Sequence, residues 1–383
     1  MGMHSSADFD QIISRKGSGS IKWDRFPKLD PYWVADMDFM SPPCVLEALR
    51  ERIAHGVMGY AQPHAGLMEA IDQYLRDRHQ LKVEEKDIVH LGGLVPALSI
   101  AARAFGSAGD TVMTCTPIYP PFLSIHQDAE MDLISVPHIL DGGRWGFDWP
   151  AMEAAVTANT KIFLLSNPQN PLGRVFTSEE IHKLADFCQR HDMILVSDEI
   201  HCDLILDEKK TPHVCAASLP DELQSRIITL LSPSKTYNIA GLGYAFAVIK
   251  DDSLRRKFCS ARGHTLPEIN CLAYYAAEAA YKEGAPWRQD LLAYLSNNRN
   301  TLTSFIADRM PTLITPDIEA TYLAWIDCSS MKKENPAKYF EQEAGIYLSD
   351  GSFFGKPGHV RFNFGCPHSR VLDGLEKMAQ VIG

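Results

Sequence analysis

The residues best placed to do chemistry lie in Ser232-Pro-Ser-Lys-Thr-Tyr-Asn238. An apolar, β-rich run from Arg226 to Leu231 stops at this segment, and Gly241-Leu-Gly243 follows soon after. A lysine just past a buried strand is costly, because burial disfavours the ammonium form. Chemistry can use that cost: an amine held near neutral pKa is a nucleophile able to form a Schiff base with a carbonyl. Ser232 and Ser234 are placed to donate to a phosphate. The plainer alternative is a surface lysine in a Ser/Pro turn, so the remaining segments have to decide.

Four other polar clusters stand where apolar runs end. Gly92-Gly93 follows Ile88-Val-His90, Tyr119 follows Thr111 to Thr114, Asn170 follows Lys161 to Leu165, and Asp198 follows Met193 to Val196. Each has an ordinary explanation as a turn or loop residue. Together they fit the needs of one cofactor, pyridoxal 5'-phosphate (PLP). Its aldehyde needs an amine, Lys235. Its ring nitrogen needs a buried carboxylate, Asp198. Its phenolic oxygen needs a donor, Asn170, and its ring face needs a flat partner, Tyr119. Its phosphate needs N–H groups at a helix start, which Gly93, Leu94 and Val95 supply. An amino-acid substrate adds an α-carboxylate, best held by an arginine fork; Arg361, on a strand from Val360 to Phe364 that also carries Asn363, is the candidate.

The elements that must position these groups read as a doubly covered α/β fold. Short apolar strands alternate with helices from about residue 87, which predicts a mostly parallel sheet with ligands gathered beyond the carboxyl ends of its strands. The strands expected are those above plus Met131 to Val136, Ile227 to Leu231 and Tyr244 to Ile249. Val95 to Phe105 reads as a helix. Thr177-Ser-Glu-Glu180 is a capping box opening a helix with Ile181, Leu184, Ala185 and Cys188 on one stripe. Pro42-Pro43 opens a helix whose Val45, Leu46, Leu49 and Ile53 share a face. Residues 1–45 are aromatic and irregular apart from a possible short helix at Phe9 to Arg15, and should lie over a larger body. After Lys250 the pattern turns to helices (Ala273 to Tyr281, Trp287 to Met310, Ala337 to Ala344, Ser369 to Val381) and a strand from Thr321 to Ile326. The division expected is an N-terminal segment 1–45 packing on the small domain and active site, a large cofactor-binding domain 46–284 and a smaller α+β domain 285–383.

Composition narrows the classes. The chain has 383 residues, 45% hydrophobic, enough for a large core and two or three domains. A net charge of −11 without a basic block argues against nucleic acid and anionic membranes as partners. No apolar run approaches a membrane span and no signal segment opens the chain. Nine cysteines, scattered and without metal-type pairing, read as reduced thiols of a cytoplasmic protein. Cys115 and Cys202 lie near strand ends and read as small apolar packing residues.

Several phrases resemble one family. They are Lys22-Trp-Asp24, Trp33-Val-Ala-Asp-Met-Asp-Phe39, Gly59-Tyr60, Gly93-Leu-Val-Pro-Ala-Leu98 and Pro117-Ile-Tyr-Pro-Pro-Phe122. Asn167-Pro-Gln-Asn-Pro-Leu-Gly173, Ser197-Asp-Glu-Ile-His201, the lysine segment, Asp350-Gly-Ser-Phe-Phe-Gly355 and Val360-Arg-Phe-Asn-Phe-Gly365 continue the series. In this order they resemble fold-type I PLP enzymes, the aspartate-aminotransferase superfamily. The Trp-Val-Ala-Asp-Met-Asp-Phe phrase and His201 narrow the resemblance to the MalY/PatB group of cystathionine β-lyases. The resemblance implies a homodimer with shared active sites, in which Tyr60 reaches the cofactor phosphate of the neighbouring subunit. It implies that the Ala35 backbone lies near the substrate carboxylate, together with Arg361 and Asn170. It puts His201 where aminotransferases carry a tyrosine on the phenolic oxygen, either making that contact or packing nearby. Two departures stand out: Leu172 replaces a common threonine, and Gly243 replaces a phosphate-binding arginine, a loss the lyase branch often shares. The activity implied is β-elimination from cystathionine or a related cysteine S-conjugate, with Lys235 as base and Lys235 or Tyr119 protonating the leaving sulfur. Transamination to a 2-oxo acid is the alternative, since it uses the same residues, and a non-catalytic regulator is a third.

Overall fold

A computed structural model describes residues 7–264 and 266–382. Its centre is a seven-stranded sheet built from β1 (Ile88–Leu91), β2 (Thr111–Thr116), β3 (Asp132–Pro137), β4 (Thr160–Ser166), β5 (Ile194–Asp198), β6 (Ile227–Leu231) and β7 (Ala245–Val248), in the order β1-β7-β6-β5-β4-β2-β3. All neighbouring pairs are parallel except those made by β7, which runs antiparallel to β1 and β6. The inner strands are buried on both faces, as their continuous apolar runs require. Val112, Ile162, Leu164, Val196, Ile228 and Leu230 pack towards one layer. Met113, Phe163, Leu165, Leu195 and Ile227 alternate to the other.

The first layer contains α3 (Leu94–Phe105), after α1 (Pro43–Ala54) and α2 (Ala65–His79). The second contains α4 (Trp149–Ala155) and α5 (Ser178–Arg190). The α5 capping box forms as expected: the Thr177 hydroxyl accepts from the Glu180 N–H and the Glu180 carboxylate from the Thr177 N–H. Beyond β7 come α6 (Asp252–Arg262), α7 (Cys271–Glu283) and the 25-residue α8 (Ala285–Arg309). They lead to an antiparallel sheet of β8 (Leu323–Asp327), β9 (Ser349–Asp350) and β10 (His359–Asn363), with β10 in the middle. Helices α9 (Pro336–Ala344) and α10 (His368–Ile382) complete that region.

One expectation needs correction, and two features were not foreseen. Phe9 to Arg15 is not helical. Its ends are held by different partners: the Phe9 ring packs on Phe39 and Trp287, while Arg15 forms a two-point bridge to Asp36 and another contact to Asp38. Helices α2 and α6 went unrecognised, although Leu67, Ile71, Tyr74 and Leu75 form a buried stripe on α2 at helical spacing. On α1, the face from Val45 to Ile53 is only partly covered: Val45 is buried, and Ile53 is 57% exposed.

The segment 30–39 lies across the sheet ends as a strap. Asp30–Pro31 pairs with Ile346–Tyr347. Beyond it the carbonyls are held one after another: Trp33 by Arg361 and Ser349, Val34 and Asp36 by Asn363, Ala35 by Tyr322, Met37 and Phe39 by Asn238. Beneath the strap, buried Lys22 meets Asp38 at 2.9 Å, and Trp23 Nε1 and Arg15 donate to the same carboxylate. These contacts fix a segment without regular structure of its own over the cavity it roofs.

Candidate active site

The carboxyl ends of β1, β4, β5 and β6 open into one cavity of about 840 Å³. It is lined by Gly93, Leu94, Val95, Tyr119, Asn170, Asp198, His201, Ser232, Ser234, Lys235, Arg361 and Ala35, so the structure gathers every chosen residue except Tyr60. Tyr60 is fully exposed, away from the cavity of its own chain.

Lys235 follows β6 by four residues and its Nζ donates to the Ala35 carbonyl at 2.7 Å. Burial lowers its pKa to about 8, aided by Arg361 and opposed by the carboxylates of Asp36 and Asp198. Asp198 is the last residue of β5, opposite Ser166 of β4. Burial raises its pKa to about 7, against the Ile200 N–H, which donates to one oxygen at 3.1 Å. Arg361 comes from the middle strand of the second sheet. Its Nη1 donates to Asn170 Oδ1 at 3.0 Å and its Nη2 to the Trp33 carbonyl at 2.6 Å. Full burial lowers its pKa to about 10. Because the Asn170 oxygen faces Arg361, its amide NH₂ remains available as a donor. His201 is buried with its Nδ1 unpartnered; burial, Lys235 and Arg361 lower its pKa to about 3, so the imidazole is neutral.

The glycine turn places Gly93 as N-cap of α3, with the first N–H groups of that helix at the cavity. Gly243 has φ +65, and a Cβ there would lie 3.1 Å from the Gly92 carbonyl oxygen. A side chain at this position would therefore be strained and crowded, which accounts for glycine here. Leu172 fills a buried cluster with Trp145, Trp325 and Phe354 and does not itself line the cavity. The two serines divide differently than expected. The Ser232 hydroxyl lies 2.6 Å from the Tyr244 carbonyl and accepts from the Ser234 N–H. The two hydroxyls also lie 2.9 Å apart and brace the turn together; with the Ser232 proton on that carbonyl, the Ser234 hydroxyl is the one that could turn to a phosphate. Cys115 and Cys202 are buried, and burial pushes both thiols up.

These residues fit PLP. Among the described residues Asp198 has no cation in hydrogen-bonding contact, and its second oxygen is open to the proton of a ring nitrogen. His201 Nδ1 and Arg361 Nε are buried polar atoms without a partner among the described residues. Sequence reasoning missed Tyr322, whose hydroxyl donates to the Ala35 carbonyl at 2.9 Å, and Asn238, which clamps the strap. Asn238 stood inside the lysine segment and has φ 54, a conformation asparagine tolerates. Tyr322 had no local signal.

Parallel strands ending in a lysine, a buried aspartate and an arginine from a second sheet define the architecture of fold-type I PLP enzymes. The chain belongs to the aminotransferase class I and II family, whose model matches residues 34–378, and within it to the MalY/PatB group. It is 34% identical to cystathionine beta-lyase PatB of Bacillus subtilis, over 97% of this chain and 98% of that one. Among solved structures, OvoB superimposes with TM-score 0.94 at 39% identity, covering 97% of this chain and 98% of OvoB. Cystalysin from Treponema denticola, which contains a pyridoxal 5'-phosphate cofactor, gives 0.93 at 33% identity, covering 98% of each chain.

Proposed function

We propose that the protein is a PLP-dependent carbon–sulfur β-lyase that cleaves L-cystathionine or a related cysteine S-conjugate to a thiol, pyruvate and ammonia. The observation that carries this reading is the buried Lys235 amine, pKa about 8, in one cavity with Asp198, Asn170 and Arg361. Similarity to PatB supports the choice of bond.

Bound PLP supplies an electron-poor ring that takes up the electrons released when the Cα–H bond of an amino acid breaks. Asp198 would hold the proton of the ring nitrogen, and the Asn170 amide would donate to the phenolic oxygen, with His201 nearby. The α3 N-terminus and Ser234 would hold the phosphate, and Tyr119 would cover the ring face. Arg361 orients the substrate α-carboxylate beside the strap at Ala35. Lys235, as its neutral amine, would accept the Cα proton. The same ammonium, or Tyr119, then protonates the departing sulfur. Buried neutral His201 contributes no second acid. One water is consumed as the three-carbon fragment becomes pyruvate and ammonia.

The acting unit is a homodimer in which Tyr60 serves the neighbouring phosphate site. Support comes from an exposed apolar patch of Ile53, Val57, Met58 and Tyr60. The division into 1–45, 46–284 and 285–383 belongs to the same proposal. The seven-stranded sheet falls within its second part and the β8-β10-β9 sheet within its third; residues 1–6 lie outside the described ones. A cytoplasmic location is supported by nine free cysteines. Among the described residues no helix is long and apolar enough to cross a membrane.

Incubation of the PLP-loaded protein with L-cystathionine and no keto acid tests the activity. Pyruvate and free thiol in equal amounts are expected. Amino transfer that requires an added 2-oxo acid, with no pyruvate, would replace the lyase by the aminotransferase reading.

A further inference from the structure

The cavity extends past the groups that handle the α-amino acid. Its outer part is walled by Trp33 and Tyr347 and reached by Arg25, Lys338, Glu341 and Asp350. The rings form a compact wall: Phe26 stacks on Tyr347 at 4.3 Å, and Trp33 meets Tyr347 edge-on at 5.3 Å. Trp33 also links the two ends of the cavity, because its carbonyl accepts from Arg361 while the Arg25 guanidinium lies 5.7 Å from its ring. A substrate anchored at Arg361 therefore has to pass Trp33 before its far end reaches Arg25.

The charges at this outer end do not cancel. Lys338 is paired with Glu341 at 2.8 Å. Asp350 accepts from the Asn335 amide at 2.6 Å and the Ser352 N–H at 2.8 Å. Arg25 has only the faces of Phe26 and Trp33, at 5.6 and 5.7 Å, and no carboxylate partner among the described residues. Its fork of N–H donors is thus the uncommitted charge of the outer cavity. In a chain of net charge −11 the overall field repels anions, so a local cation is needed to hold one.

We propose that Arg25 recognises a carboxylate at the far end of the sulfur substituent, making the preferred substrates cysteine S-conjugates with an acidic tail. The identity of the bond broken rests on the lyase reading above; the acidic tail rests on Arg25. The residue escapes sequence reasoning because it follows the Lys22-Trp-Asp24 phrase by one position, and only packing on Phe26 and Trp33 in the folded chain brings it to the cavity.

The test compares S-carboxypropyl-L-cysteine with its neutral amide, S-carbamoylpropyl-L-cysteine, on the PLP-loaded enzyme. A charge-assisted contact at a partly open site predicts kcat/KM for the acid roughly tenfold above the amide, with the difference in KM. In Arg25→Gln the ratio falls to about one, Arg25→Lys keeps part of it, and added salt shrinks it in the wild type. Equal kcat/KM for the two compounds in the wild type, or an undiminished preference in Arg25→Gln, overturns the assignment. If neither compound yields pyruvate, the lyase reading fails by itself. Calorimetric binding of the same pair then decides Arg25: a tenfold Kd ratio lost in Arg25→Gln supports it, and equal Kd values overturn it.

Discussion

Lys235 and Asp198 are displaced in opposite directions by the same burial, and each displacement has a measurable consequence. With the amine pKa at about 8 in the cofactor-free site, the neutral fraction falls about tenfold for each pH unit below that value. The rate at which PLP develops its protein-bound visible band should rise steeply to about pH 8 and then level. A rate still climbing to pH 10 would mean that the lysine is unperturbed, and Lys235→Ala should give no such band. Asp198 behaves as an acid with its folded pKa raised to about 7 from 3.8. Between those values the folded cofactor-free protein binds a proton that the unfolded chain does not. The associated stability is therefore full below the unfolded pKa and lost as pH rises through about 7. Asp198→Asn removes that penalty. Urea denaturation at pH 8 should find the cofactor-free variant more stable by roughly 2–4 kcal/mol, whereas turnover should fall by about a hundredfold or more, because an amide cannot hold the ring-nitrogen proton. A variant that is neither stabilised nor slowed would contradict the environment assigned to Asp198. These side chains were legible in the sequence because each chemical type stands directly after an apolar run. Tyr322 and Arg25 were not, since their roles arise from contacts with segments distant in sequence.

At the scale of elements, the strap 30–39 converts buried charge into position. Lys22 is 2% exposed, and Asp38, its partner at 2.9 Å, also accepts from Trp23 and Arg15. Asp38→Ala leaves the buried Lys22 ammonium with only the Asp36 carboxylate at 3.7 Å and the Asp36 carbonyl at 3.3 Å, which costs up to about 3–5 kcal/mol. Adding Lys22→Met should recover much of that loss in denaturant titrations, because the unpaired charge is what destabilises. If the double variant is no better than the single one, the pair is not the source. Activity should fall with the single change, since the strap carries Trp33 and Ala35 over Arg361 and Lys235. The strap also shows where sequence reasoning stops. Buried parallel strands announce themselves as apolar runs, and Ile227–Leu231 could be placed to the residue. An irregular segment held by side chains from elsewhere has no period to read. Its aromatic composition indicated only that it must lie on something, while the helix expected at Phe9 to Arg15 gave way to tertiary contacts at both ends.

At the scale of the whole molecule, the phosphate end of the cavity is short of positive charge. Of the cations in the lining, Lys235, Lys338 and Arg361 are engaged elsewhere and Arg25 stands at the outer end, while Gly243 carries no side chain at all. Helix N–H groups and Ser234 supply donors, and Tyr60 of a second subunit would complete them. Tyr60→Ala should therefore weaken PLP retention and activity even though Tyr60 touches nothing in its own cavity. Complementation distinguishes a shared site from a self-contained one. Tyr60→Ala protein retains Lys235, and Lys235→Ala protein retains Tyr60. Each is impaired alone. When the two are unfolded together, refolded and reloaded, about half of the dimers should be hybrids in a random mixture. Each hybrid carries one site with both defects and one with neither, so activity should recover to about a quarter of the wild-type value. If Tyr60 served its own subunit, every hybrid site would retain one defect and mixing would restore nothing. Sedimentation of the mixture checks that the species are dimers. Recovery in a dimeric preparation assigns Tyr60 across the interface, and the exposed patch from Ile53 to Tyr60 then has its occupant, the same patch of a second copy.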